Sequence, residues 1–103
     1  MNYFFKLHRD TTRPLEVWGA GKKGKELAKY LINNNIEFDW ACNNPNKIGK
    51  EIYGKTLISD KEIFTRKNPQ LLIAIRNKQA SIAIKKIFDS KKLVSNVDYF
   101  FLS

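Results

Sequence analysis

Apolar positions along the chain follow two periodicities that take turns. Leu15-Glu16-Val17-Trp18 is short and rich in strand-forming side chains, follows Pro14 and stops at Gly19, which predicts a buried strand. From Lys22 to about Asn34, Leu27, Ala28, Leu31 and Ile32 recur at helical spacing and form one apolar stripe, closed by Asn33-Asn34-Asn35. Ile36, Phe38 and Trp40 alternate with polar residues and predict a second strand from Ile36 to Ala41. The stretch 43–49 is a loop of Asn, Pro and Gly, and a further turn at Gly54 leads into a short strand around Thr56-Leu57-Ile58. Ser59 or Asp60 then caps a short helix running through Phe64.

Leu71-Leu72-Ile73-Ala74-Ile75 is continuously apolar, as a central parallel strand covered on both faces requires. Ala80, Ala83, Ile84, Ile87 and Phe88 mark the buried face of another helix ending near Lys91, and Val97 to Leu102 supplies a last strand. Strands alternating with helices in this order predict an α/β domain in three layers, with a parallel sheet of about four or five strands. This domain covers residues 14–103. The preceding stretch, 1–13, holds the aromatic cluster Tyr3, Phe4 and Phe5. It is either the end of a preceding domain or a strand or helix that docks on this one.

Composition narrows the classes. A length of 103 residues has room for one core and no second domain. No apolar run reaches the roughly 20 residues of a membrane span. Cys42 and His8 are each the sole residue of their kind, which rules out an internal disulfide or cysteine metal cluster. A reducing, cytoplasmic setting is the expectation. A net charge of +9 favours anionic partners. The charges are scattered rather than clustered, however, and Lys29, Lys85 and Lys86 fall on solvent faces of predicted helices, so no specific nucleic-acid surface is expected.

The chemistry concentrates in one turn. Gly19, Gly21 and Gly24 have the G-x-G-x-x-G spacing after a predicted strand and at the start of a predicted helix, which makes the domain Rossmann-like. The first glycine permits the tight turn, the second lets backbone approach a phosphate, and the third lets helix pack on strand. Open N–H groups of Gly19, Ala20, Gly21, Lys22, Lys23 and Gly24 then form the anion site. Gly19-x4-Gly24-Lys25 also approaches the P-loop spacing, but Glu26 stands where that motif needs Ser or Thr for magnesium, which argues against NTP hydrolysis. A dinucleotide fold expects an acidic residue at the end of the second strand to hold the ribose. Cys42 and Asn43 stand there instead, so Asn43 is the ribose candidate and NAD is a poorer expectation than another nucleotide. Arg76 and Asn77, after the central strand, face the turn across the crevice and complete a basic mouth for a phosphorylated small molecule. No paired carboxylates, activated nucleophile or metal-ligand cluster falls on these strand ends, so neither a catalytic nor a metal site is expected.

Val17-Trp18-Gly19-Ala20-Gly21-Lys22-Lys23-Gly24-Lys25, the stretch from Asn44-Pro45 through Ile48-Gly49 to Gly54, and Ile73-Ala74-Ile75-Arg76-Asn77 together resemble a known family. It is the small Rossmann-like domain of bacterial surface-polysaccharide enzymes: the amino-terminal nucleotide-sugar-binding domain of sugar acyltransferases and the module appended to some family-2 glycosyltransferases. The likeness spans about Leu15 to Asp89. It implies a non-catalytic nucleotide or nucleotide-sugar module working beside a glycosyltransferase or a similar enzyme. The chain departs from the family at Cys42 and Asn43, and it lacks the hexapeptide-repeat helix that carries acyl transfer, so that activity does not transfer. The competing expectation is a protein-interaction domain with a vestigial site, docking on a partner or another copy through its aromatic start.

Overall fold

The strand predicted ahead of the glycine turn forms over Leu15–Trp18, and this β1 is the centre of the sheet. The computed structural model of the chain describes residues 2–102, with side chains for 4–102. The elements that follow are α2 (Lys22–Asn33, after the terminal helix α1, Asn2–Leu7), β2 (Asp39–Cys42), a small hairpin of β3 (Glu51–Ile52) and β4 (Lys55–Thr56), then β5 (Ile58–Ser59). A 3-10 helix (Asp60–Thr65), β6 (Gln70–Ile73), α3 (Lys78–Ser90) and β7 (Tyr99–Phe101) complete the chain. The main sheet has five parallel strands in the order β5-β2-β1-β6-β7. The chain builds outward from β1 on one side, then returns to build outward on the other, and the order reverses between β1 and β6.

Alternation along each strand sorts the core into two halves, giving the expected three layers. Val17, Trp40, Cys42, Leu72 and Phe100 face α2, meeting Leu27, Ala28 and Leu31. Trp18, Ala41, Leu71, Ile73 and Tyr99 face the other way, meeting Ile63 of the 3-10 helix and Ile84 and Phe88 of α3. Among the described residues no helix is long and apolar enough to cross a membrane, and no group of His, Cys, Asp or Glu is placed to hold a metal ion.

The second strand and the short strand after Gly54 differ from the sequence reading, each for a local reason. The second strand begins at Asp39 rather than Ile36, because Ile36 closes α2: Asn35 turns left-handed at φ 56°, its N–H bonds the Ile32 carbonyl, and the Ile36 N–H bonds that of Leu31 at 2.9 Å. α3 stops by the same device, with Lys92 left-handed at φ 60° and the Leu93 N–H on the Phe88 carbonyl. The short strand expected around Thr56-Leu57-Ile58 is split. Lys55 and Thr56 pair back on β3, Ile58 and Ser59 join β2, and buried Leu57 between them bonds Gly49 and Lys50. The cap of the short helix is Ser59, with Glu62 completing a capping box.

The aromatic start takes the helical alternative. Phe4 of α1 is buried with its ring 4.6 Å from that of Phe100, and Phe5 lies 6.0 Å from Tyr30. The side chain of Tyr3 lies outside the described residues. The link from α1 to β1 is pinned at the end of the sheet away from the glycine turn. Gln70, buried at the start of β6, accepts from Arg9 and the Asp10 N–H and donates to the His8 and Val97 carbonyls. Arg13, also buried, bonds the Asn68, Pro69 and Val97 carbonyls and pairs with Asp98 at 2.8 Å.

One buried group runs against the pattern. Glu16 points from β1 into the half of the core that holds the 3-10 helix, is 0% exposed, and neither of its oxygens has a well-formed hydrogen bond. Its neighbours are Arg66 Nε at 3.5 Å and Asp39, its partner across the β1–β2 pair. Burial above all, then the adjacent Asp39 carboxylate, push its carboxyl up to about 8, with Arg66 opposing. For Asp39, burial acts upward, but the adjacent Glu16 carboxyl and the Arg66 guanidinium, 3.0 Å away, outweigh it and hold the carboxyl below its ordinary value.

The folded state therefore holds the Glu16 proton more tightly than the unfolded chain does. Its contribution is complete below the ordinary value of 4.5 and is lost as pH rises through about 8. Thermal melts of the wild type and Glu16→Gln at about pH 5 and about pH 9 should show the wild type losing several degrees more than the variant on going up in pH. Equal losses would show that Glu16 is ionised in the folded protein throughout.

Candidate functional site

Where the strand order reverses, the carboxyl ends of β1, β2 and β6 open into a cleft of about 450 Å³. Its floor is the glycine turn, and the first and third glycines are needed for packing. Gly19 has φ +127°, and a Cβ there would run into the Ala74 carbonyl; a Cβ on Gly24 would overlap the Gly19 carbonyl oxygen and lie 2.6 Å from its carbon. The start of α2 is thus pressed onto the end of β1. The Gly19 carbonyl also accepts a 2.7 Å hydrogen bond from buried Trp40 Nε1, and its N–H bonds Ala41. At Gly21, by contrast, a Cβ would meet nothing within 4 Å: this backbone faces open space in the cleft.

Gly21 is the N-cap of α2, and no side chain caps that end. The first intrahelical bond described there runs from the Lys25 N–H to the Gly21 carbonyl, so the preceding N–H groups have no helical acceptor. These donors and the positive end of the helix dipole lie at the cleft. The neighbouring helix start is different. The Asn77 side chain caps α3 by accepting from the Ala80 N–H at 3.0 Å, so its amide oxygen is already engaged.

Of the nine residues singled out from sequence, Gly19, Ala20, Gly21, Lys22, Lys23, Asn43, Arg76 and Asn77 line this cleft together. Gly24 does not; it is buried beneath the turn. The lining adds residues that the motif did not reveal: Trp18, Cys42, Asn44, Ala74, Ile75, Ala80 and, above all, Lys47. Lys47 comes from the loop after β2, is partly buried, and its ammonium lies 3.1 Å from the Ala20 carbonyl. Four cations (Lys22, Lys23, Lys47 and Arg76) thus line the cleft, and no carboxylate is among its described lining residues.

Comparison with protein-family models, curated proteins and solved structures gives no match to this chain. The functional reading therefore stands on the chemistry of the cleft. That chemistry is electrostatic: donor N–H groups and four cations line the cleft together with the apolar residues Ala20, Ala74, Ile75 and Ala80. Cys42 has only a 3.8 Å sulfur contact with the Asn44 carbonyl, and no general base is near it in the lining.

Gly21 and Gly24 should separate under mutation. Gly24→Ala should cost at least about 3 kcal/mol by forcing α2 off β1, whereas Gly21→Val, in open space, should cost about 1 kcal/mol or less. Denaturant titration of both variants checks this. Equal destabilisation would mean that Gly21 is a packing residue too.

Proposed function

We infer that this chain is a non-catalytic nucleotide-binding module that holds its ligand by the phosphates. The observation that carries the reading is the uncapped start of α2 opening into a cleft lined by four cations and no described carboxylate. An anion there replaces the missing cap, and charge-assisted hydrogen bonds to backbone N–H groups are among the stronger ones available. The position supports the same reading, because open α/β sheets bind ligands outside the strand ends at the point of reversal. A nucleotide-sugar, and work beside a glycosyltransferase in surface-polysaccharide synthesis, is the form that the family resemblance adds. A cytoplasmic setting fits a phosphorylated metabolite.

The competing reading, docking through the aromatic start, has less support: Phe4 is buried in this chain's own core and Phe5 packs against it. The proposed assignments are backbone binding at Gly21, Lys22 and Lys23, with Arg76 closing on the phosphates from across the cleft.

A heteronuclear NMR titration with UDP, a UDP-sugar, NAD and coenzyme A at matched ionic strength tests this. Amides of Gly21, Lys22 and Lys23 should shift together, and Gly21→Val and Arg76→Ala should each weaken binding roughly tenfold or more. If none of these ligands moves the turn at millimolar concentration, the glycines are architecture alone.

A further inference from the structure

The edge of the cleft next to β2 carries the reverse of what a plain ribose needs. In a dinucleotide fold this edge offers a carboxylate, because two neighbouring ribose hydroxyls each have a hydrogen to donate. Here the end of β2 is Cys42, buried, followed by Asn43, exposed, and the charged group that the loop after β2 brings into the cleft is the Lys47 ammonium, beside the Ala20 carbonyl. Lysine only donates. One of its three hydrogens is used on the Ala20 carbonyl, at 3.1 Å, and two remain for a ligand.

The ammonium is also held in place before any ligand arrives. Asn44 Oδ1 accepts from the Asn46 N–H at 2.9 Å, the Lys47 and Ile48 N–H groups bond the Asn44 carbonyl, and Gly49 is tied to Leu57 at 2.7 Å. The loop that presents Lys47 is therefore closed on itself and fastened to the segment beside β5. A group that only accepts hydrogen bonds and is doubly negative matches such an edge; a phosphate monoester is that group.

We propose that Lys47 and Asn43 form a second phosphate subsite at the ribose edge, so that the ligand is a nucleotide phosphorylated on a ribose hydroxyl. The inference rests on the nucleotide reading above. It narrows that reading toward ribose-phosphorylated nucleotides and away from nucleotide-sugars with a free diol.

Two ligand pairs differ by one ribose phosphate, each on a different hydroxyl: NADP against NAD, and coenzyme A against its dephospho form. Titrations of the full chain at fixed ionic strength should show the phosphorylated member of at least one pair binding roughly tenfold tighter. Which pair responds identifies the hydroxyl. The preference should vanish in Lys47→Ala and persist in Lys50→Ala, an exposed lysine of the same loop that does not line the cleft. Lys47→Gln, which keeps most of the stem, serves if the alanine variant does not fold.

Equal binding within both pairs, a preference that survives loss of Lys47, or one that Lys50→Ala removes equally would overturn the subsite while leaving the phosphate cleft in place. The same holds if neither pair binds but UDP shifts the glycine-turn amides. If nothing shifts those amides, the subsite and the nucleotide reading fall together.

Discussion

The structure turns on one close approach, that of Gly24 to the carbonyl of Gly19. With no side chain between them, the first turn of α2 rests directly on the end of β1. The same Gly19 backbone is hemmed in by Ala74 at the end of β6 and bonded to Trp40 and Ala41 of β2. Three strands and a helix are thereby referenced to a single residue. The cleft owes its floor to that junction: if α2 stood further off, its free N–H groups would no longer meet the residues after β2 and β6. Stability and site are here one piece of geometry, which explains why one glycine of the motif is buried under the site rather than lining it.

Much of this was legible in the chain because local and tertiary preferences agree. Leu15–Trp18 has no competing reading: apolar but for Glu16, bounded by Pro14 and Gly19, and buried at every position. The α2 stripe reads cleanly for the same reason. Ile36 misleads because the residue after a left-handed helix stop is commonly apolar, and its packing against the core on the α2 side continues by chance the alternation of Phe38 and Trp40. Leu57 misleads in the opposite way. It looks like the centre of one strand, yet it is the pivot between two strands that pair with different partners.

At the site, the glycine turn and Arg76 are readable from spacing because they come soon after the carboxyl ends of β1 and β6. Lys47 is not, since nothing about a lysine inside an Asn-Pro-Asn-Lys loop marks it apart from any solvated lysine; only the fold of residues 44–50 brings its ammonium to Ala20. Asn77 shows the converse. The strand end at which it stands makes it a ligand candidate, but the helix that begins there engages its side-chain oxygen first. Glu16 escapes the pattern altogether, because alternation along β1 records that a position is inward-facing and not whether a carboxyl can be neutral there.

The open end of α2 also has a thermodynamic side. A glycine at the N-cap, as Gly21 is, forgoes about a few tenths of a kcal/mol relative to Ser, Thr, Asp or Asn, whereas α3 and the 3-10 helix of this same chain carry side-chain caps. Any occupant that satisfies those N–H groups binds the folded chain and not the unfolded one, so occupancy and folding are linked by mass action. Resistance to proteolysis would then rise and fall with ligand concentration, and the lifetime of the domain in a cell would itself report how much of that ligand is present.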